Sequence, residues 1–170
     1  MAVPTVIFDE FTAFIQQQQT VILATQNSKS QPMASYAPFI LIEGQFYIYV
    51  SELAAHTENL MHHADLGLLL IEDEQTADNL FARKRASIQG RAQEIARGSE
   101  SWHKVMEHYV AKLGETAALL KSLQDFHLFE ITPKQATFVK GFAQAYELSG
   151  EDLKQVRHKN DAGHRAKKHD

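Results

Sequence analysis

The sequence predicts a mainly β domain, a small antiparallel barrel of about six strands with helices at its periphery. Apolar residues recur with a period of two in segments such as VILATQ, PMASYAPFILI and FYIYVS, as is typical of half-buried strands. Asn27, Ser28 and Gly44 supply turn-forming residues between these segments. Strands and helices do not alternate regularly, so the pattern favours a barrel over a doubly wound parallel sheet.

The chain is predicted to begin with a short amphipathic helix. Four apolar residues recur there at helical spacing: Phe8, Phe11, Phe14 and Ile15. The helix is expected to end in the glutamine run 16–19. The three alternating segments that follow then form an antiparallel meander.

The centre of the chain is predicted to contain a helix and two strands. Ser51 can cap a helix over LAAHTENLMHH, in which Leu53, Leu60, Met61 and Ala64 lie apart from His56, Asn59 and His63. The next segment, GLLLIEDE, is so continuously apolar that both faces of its strand are expected to be covered. In RKRASIQGRAQEIA the odd positions from 83 to 93, three of them arginine, share one face.

The last third of the chain is predicted to hold two helices and two closing strands. Ser99 and Glu100 open a helix that ends at Gly114. Its apolar stripe consists of Trp102, Val105, Met106, Tyr109 and Leu113. A second helix, ETAALLKSL, follows, and the strands DFHLFEIT and ATFVKGFAQAYEL are expected to meet at a turn containing Pro133.

Composition limits the classes of function. A chain of 170 residues with 44% hydrophobic residues fits one globular domain, and a net charge of −4 argues against nucleic acid as a partner. The absence of cysteine excludes disulfides, thiolate metal sites and a cysteine nucleophile. No apolar run approaches the length of a membrane span, and the start MAVPTVIFDEF lacks the features of a signal peptide. We therefore expect a cytoplasmic protein with no membrane partner.

The end of the chain is the first place to look for function. We divide the chain into a barrel domain, residues 1–158, and a polar tail, residues 159–170, which is expected to bind a ligand. The tail KNDAGHRAKKHD cannot bury enough apolar surface to fold alone, so His164 and Arg165 are either incidental or held by a partner or ligand. HExxH, GxSxG, P-loop and GxGxxG motifs are all absent from the sequence.

The order of elements and several short motifs together resemble a known family. The pieces that carry the resemblance are SYAPF, the segment from Ser51 through His56 to Leu60, LFARKR, LQDFHLF, FVKGFAQAY and the tail motif GHR. They are similar to the pyridoxamine-phosphate-oxidase-type split barrels, and within them to the HugZ/HutZ heme-degrading branch. The resemblance covers nearly the whole chain and implies a six-stranded antiparallel split β-barrel.

The resemblance also implies a homodimer with two equivalent ligand sites at its interface. In flavin-binding members, basic and hydroxyl side chains hold the FMN phosphate, and the matching positions here are Ser51, His56 and Arg85. The chain departs from that pattern at Ser35, where flavin binders carry an arginine. FMN is therefore the alternative ligand, for an oxidoreductase of the pyridoxamine-phosphate-oxidase type.

Heme is the ligand that the resemblance favours, both as cofactor and as substrate. Heme-degrading members supply an axial histidine from the C-terminal segment, and His164 in GHR matches it. Asp125 is the candidate acceptor for the other nitrogen of that histidine, while Arg85 would pair with a propionate and Arg165 would contact the ligand. The implied reaction cleaves the porphyrin with O2 and electrons from a donor that the sequence does not identify. A non-catalytic heme or flavin carrier is the third hypothesis.

Overall fold

The computed structural model describes residues 4–159 and confirms the mainly β architecture with peripheral helices. The helices in this range are α1 (Pro4–Gln16), α2 (Ala55–His62), α3 (Glu100–Leu113) and α4 (Glu115–Lys121). The strands are β1 (Thr20–Gln26), β2 (Pro32–Ile42), β3 (Gln45–Ser51), β4 (Asp65–Ile71), β5 (Arg85–Ile95), β6 (Phe126–Gly141), β7 (Gln144–Ser149) and β8 (Gln155–His158).

Six of the strands close into an antiparallel barrel. They lie in the order β3, β2, β1, β4, β5, β6, and pairing of β3 with β6 closes the ring. The first part of β6 pairs with β3 from Phe126 to Ile131, and its last part pairs with β7 from Ala136 to Gly141. The strands β7 and β8 therefore extend the sheet beyond the predicted six-stranded barrel.

Two apolar clusters stabilise the fold. The barrel interior holds fully buried phenylalanines, Phe39, Phe46, Phe129 and Phe138, and α1 covers this core with Phe11 in edge contact with Phe138, their ring centroids 5.7 Å apart. Outside the barrel, α3 packs its predicted apolar stripe against β2 and β3. Each large side chain that is fully buried contributes about 1.5–3 kcal/mol.

Both ends of α3 follow the prediction. The Ser99 hydroxyl accepts a hydrogen bond from the Trp102 backbone N–H at 3.1 Å, and Gly114 ends the helix with φ of 78°. A positive φ is favourable for glycine because it has no Cβ.

The predicted helix after Ser51 is wrong in its start and in part of its buried face, although Leu60 is buried on the predicted apolar face. The helix begins at Ala55, Leu53 lies in the preceding turn with 93% of its surface exposed, and Met61 is also exposed. The buried residues include His56, Thr57 and Asn59. The reason is that α2 contacts polar side chains of the barrel, since the Asn59 amide donates to Thr25 Oγ1 at 3.0 Å.

The predicted turn at Pro133 is also wrong. β6 continues through Pro133, which lies opposite Gly90, while Gln135 lies opposite Gln89. The extra residue, Lys134, marks a β-bulge in β6. A bulge tolerates proline because proline has no N–H to donate to the ladder.

The prediction that both faces of β4 are covered is not met within a single chain. Leu66, Leu68 and Leu70 are buried, but Gly67 and Leu69 between them are only half-buried. The barrel interior takes every second residue of the strand, so the intervening residues face outward.

Candidate functional site

The structure brings Ser51 and Asp125 together at one end of the barrel. Ser51 is the last residue of β3 and pairs with Phe126, the first residue of β6. The connection from α4 to β6, which carries Asp125, therefore lies beside Ser51. The Ser51 hydroxyl donates to Asp125 Oδ2 at 3.2 Å, and the Glu52 backbone N–H donates to the Asp125 carbonyl at 2.8 Å.

Ser51 also holds the turn that leads into α2. Its hydroxyl accepts a hydrogen bond from the Leu53 N–H at 3.1 Å, and its carbonyl accepts one from the Thr57 hydroxyl at 2.5 Å. Thr57 is fully buried and is the chain neighbour of His56. The contacts of Ser51 thus connect the Asp125 carboxylate to the first turn of α2.

His56 lies on the buried face of α2, with 9% of its surface exposed. Its Nδ1 lies 3.0 Å from the Ser35 hydroxyl on β2. Burial lowers the pKa of His56 below its ordinary value because the charged imidazolium is poorly solvated there. The structure therefore joins the matched position His56 to Ser35, the position at which the chain departs from the flavin-binding pattern.

Arg85 lies apart from Ser51 and Asp125 within one chain. It is half-buried at the start of β5, and its guanidinium donates to the Arg83 carbonyl at 3.0 Å. It pairs with Val139, thirteen residues along β6 from Phe126, or about 40 Å of extended strand. One barrel end holds Ser51 and Asp125, and Arg85 belongs to the other end of the β5 and β6 ladder.

The tail residues of the predicted site, His164 and Arg165, lie outside the residues that the structure describes. The strand β8 ends at His158, and the division of the chain into a barrel domain and a ligand-binding tail stays a prediction. The role of both residues stays a prediction.

Sequence reasoning missed a histidine held between two carboxylates beside Asp125. His127 Nδ1 lies 2.6 Å from Glu94 Oε1, and its Nε2 lies 2.7 Å from Glu52 Oε1. Burial opposes the charged form, but the hydrogen bonds to both carboxylates prevail and raise the pKa of His127 above its ordinary value. Glu52 and Glu94 are 42 residues apart in sequence, so no local spacing signals this arrangement.

Two of the cavities formed by residues 4–159 adjoin the barrel, away from Ser51 and Asp125. The larger, of about 600 Å³, lies between α1, the turn from β2 to β3, and residues 150–154. The smaller, of about 390 Å³, is a groove lined by residues of β1, β2, β4, β5 and β6. Of the predicted site residues that the structure describes, Ser51, His56, Arg85 and Asp125, none lines either cavity.

The described part of the chain contains neither a metal-binding cluster nor a membrane-spanning helix. Within residues 4–159, no group of three histidine, aspartate or glutamate side chains is arranged to hold a metal ion. None of the helices in that range is long and apolar enough to cross a bilayer.

Comparison with known proteins places these features in a family. Residues 7–140 match the pyridoxamine 5'-phosphate oxidase family. The chain is 40% identical over 156 residues to heme oxygenase HutZ of Vibrio cholerae serotype O1, an alignment that covers 92% of this chain and 88% of that protein.

Solved structures support the same family assignment. The crystal structure of Vibrio cholerae HutZ, described as a heme storage protein, superposes with a TM-score of 0.75 at 34% identity, over 78% of this chain and 94% of that one. Campylobacter jejuni ChuZ superposes with a TM-score of 0.84 at 28% identity, over 93% of this chain and 64% of that one. The chain therefore belongs to the pyridoxamine 5'-phosphate oxidase-type split-barrel family, in the branch that contains HutZ.

Proposed function

We propose that this protein is a cytoplasmic heme-degrading oxygenase that releases iron from heme. The observation that carries the proposal is the 40% identity to heme oxygenase HutZ over nearly the full length of both chains. Heme is the substrate, O2 the oxidant, and electrons come from a donor outside this chain. When bound, heme supplies the iron at which O2 is activated.

In this proposal His164 holds the heme iron and Asp125 orients His164. An iron-bound imidazole commonly donates its other N–H to a carboxylate, which fixes the ring and increases electron donation to the metal. Asp125 suits this role because it is half-buried and its carboxylate is held by Ser51. Among the described residues Asp125 Oδ1 receives no hydrogen bond, so it can accept one from the tail.

The remaining predicted residues hold the porphyrin. Arg85 pairs with a propionate by a charge-assisted hydrogen bond, and Arg165 makes a second polar contact. Ser51 and His56 line the side of the ligand next to α2. His56 is expected to remain neutral near pH 7, because its pKa is lowered by burial.

We further propose that the protein is a homodimer. The outer faces of β1 and β2 expose Ile22 and the residue paired with it, Tyr36, the latter at 66%, next to the groove over β4 and β5. Burying apolar surface of this kind is favourable by about 25 cal/mol per Å². Tyr36 is the aromatic of SYAPF available for this contact, since Phe39 is in the barrel core. A monomeric mass in solution scattering at micromolar concentration would contradict a dimer.

The separation of Arg85 from Asp125 supports a ligand site shared by two chains. The strand partners of Arg85 and Ser51, Val139 and Phe126, are thirteen residues apart along β6, so Arg85 and Asp125 belong to opposite ends of that strand. In a two-fold dimer, Arg85 of one protomer can complete the site that contains Asp125 of its partner. Each heme then contacts both protomers.

The test is to add hemin to the purified protein, record the absorption spectrum, and then add ascorbate in air. We expect a Soret band that disappears on ascorbate addition, with iron released to a ferrous chelator. His164→Ala should change the Soret band and abolish the loss, whereas His169→Ala, a tail histidine outside the GHR motif, should behave as wild type. Wild-type behaviour of His164→Ala would contradict the assignment of the axial ligand.

Heme storage without degradation is the second candidate, and the description of the HutZ crystal structure as a heme storage protein favours it. A stable Soret band in the presence of ascorbate would support storage. FMN remains the alternative ligand, although Ser35 is hydrogen-bonded to His56 and adds no cation for a phosphate. Binding of FMN with no binding of hemin would support the flavin alternative.

A further inference from the structure

Arg97, between β5 and α3, forms hydrogen bonds with three backbone carbonyls of the segment that carries Asp125. Its Nη2 donates to the Leu123 carbonyl at 2.6 Å and to the Phe126 carbonyl at 3.1 Å. Its Nη1 lies 3.3 Å from the Lys121 carbonyl. These acceptors lie on both sides of Asp125 in the chain.

The guanidinium is itself held in place by aromatic side chains. Nη2 also lies 2.7 Å from the Tyr49 hydroxyl, so its two N–H groups are shared among three acceptors, and the guanidinium carbon lies 5.2 Å from the Trp102 ring centroid. Tyr49 and Trp102 are both buried, at 3% and 5% exposure, in the cluster between α3 and the barrel. The planar guanidinium can donate several hydrogen bonds in fixed directions while it lies over a ring, which a lysine ammonium cannot do.

We propose that Arg97 is a positioning residue for Asp125. It holds the backbone on either side of Asp125 in place, and the Glu52 N–H holds the Asp125 carbonyl. The Ser51 hydroxyl then orients the Asp125 carboxylate, because the backbone that carries it is fixed. This inference rests on the proposed function, in which Asp125 accepts a hydrogen bond from the iron-bound histidine. Arg97 contacts neither heme nor the reacting atoms.

The first test uses the protein without heme. In Arg97→Gln, exchange of the Glu52 amide proton with solvent should be about 10-fold faster, because its acceptor, the Asp125 carbonyl, is no longer held. The Ala92 amide, which donates to the Ala64 carbonyl at 2.7 Å on the barrel, should exchange at the wild-type rate. Unchanged exchange at Glu52 would overturn the positioning role.

The second test uses the protein loaded with hemin. Arg97→Gln should lower the frequency of the ferrous iron–imidazole stretching band, as Asp125→Asn does, and slow ascorbate-driven degradation about 10-fold with hemin affinity unchanged. Arg97→Lys should restore neither the stretching frequency nor the degradation rate, because an ammonium lacks the planar set of donors with which the guanidinium reaches several carbonyls. In an Asp125→Asn background, Arg97→Gln should produce no further change in the band or the rate.

Two results would separate failure of this inference from failure of the proposed function. If Arg97→Gln slows degradation equally in the wild-type and Asp125→Asn backgrounds and leaves the stretching band unchanged, Arg97 does not act through Asp125. If His164→Ala alone gives the wild-type spectrum, the proposed heme ligation is wrong, and the role of Arg97 in that ligation is overturned with it.

Discussion

Ser51 and Asp125 are 74 residues apart in the chain, and a hydrogen bond of 3.2 Å joins their side chains. The Ser51 hydroxyl also accepts from the Leu53 N–H, so a single hydroxyl orients the carboxylate and supports the turn before α2. Both residues are half-buried, where such bonds are better protected from water than on an open surface.

Removing the Ser51 hydroxyl should lower stability. We expect Ser51→Ala to reduce the free energy of unfolding by about 1 kcal/mol, because two hydrogen bonds lose their partner. A double-mutant cycle with Asp125→Ala, measured by urea unfolding, should give a coupling of about 0.5–1.5 kcal/mol. Additive effects of the two changes would mean that the hydrogen bond contributes nothing to stability.

Asp125→Asn should separate heme binding from heme turnover. The amide keeps the size of the carboxylate but accepts more weakly from an imidazole N–H, so electron donation to iron falls. We expect hemin to remain bound and ascorbate-driven degradation to slow by about 10- to 100-fold. Absorbance titration and the rate of Soret loss measure the two quantities, and loss of both in parallel would contradict an orienting role.

Arg85→Ala should mainly weaken hemin binding. Loss of one ion pair in a desolvated site corresponds to about 1–3 kcal/mol of binding free energy. Arg91→Ala is the matched control, because Arg91 lies on the same face of β5 and forms an exposed ion pair with Asp65 at 3.2 Å. Equal loss of affinity in the two variants would indicate a general effect of positive charge.

His127 should make stability depend on pH. Its pKa is raised in the folded protein, so the stabilisation is fully present below the unfolded value near 6.5 and is lost as the pH rises through the folded value. Urea unfolding from about pH 6 to pH 9 should show a steeper loss of stability for wild type than for His127→Gln. His62→Gln, an exposed change at the end of α2, controls for the loss of an imidazole. Parallel curves for wild type and His127→Gln would contradict this assignment.

Gly90→Ala should destabilise the barrel at the β-bulge. An added Cβ would lie 2.8 Å from Ile131 Cγ2 and 3.2 Å from the Thr132 carbonyl, so the strands must shift. We expect a loss of about 1–3 kcal/mol in the free energy of unfolding. Gly141→Ala, where a Cβ meets no atom within 4 Å, should change stability by less than about 1 kcal/mol. Similar losses in the two variants would rule out the steric explanation.

The sequence predicted the elements that have local signals. The stripe of α3 with Ser99 and Gly114 at its ends, and the alternation in β1, reflect the two periodicities of helix and strand, whereas β3 is buried on both faces because α3 covers its outer side. Pro133 misled the prediction because proline is typical of turns, whereas here a β-bulge accommodates it. The inward polar face of α2 was missed because apolar residues on a helix are usually the buried ones.

The candidate site was predicted in its residues but not in its geometry. Motif resemblance pointed to Ser51, His56 and Asp125, yet only the pairing of β3 with β6 reveals that Ser51 and Asp125 are in contact. The support from Arg97 and the position of His127 between Glu52 and Glu94 depend on long-range contacts. Spacing along the chain carries no signal for such contacts.

Closure of the barrel through β6 has a consequence for synthesis on the ribosome. Phe46 of β3 pairs with Ile131 of β6, so a nascent chain that ends before residue 126 presents two unpaired sheet edges. Unpaired edges and uncovered apolar surface favour aggregation. Completion of β6 at Gly141 removes both edges in one event, so folding of the barrel is expected to wait until about four fifths of the chain has emerged.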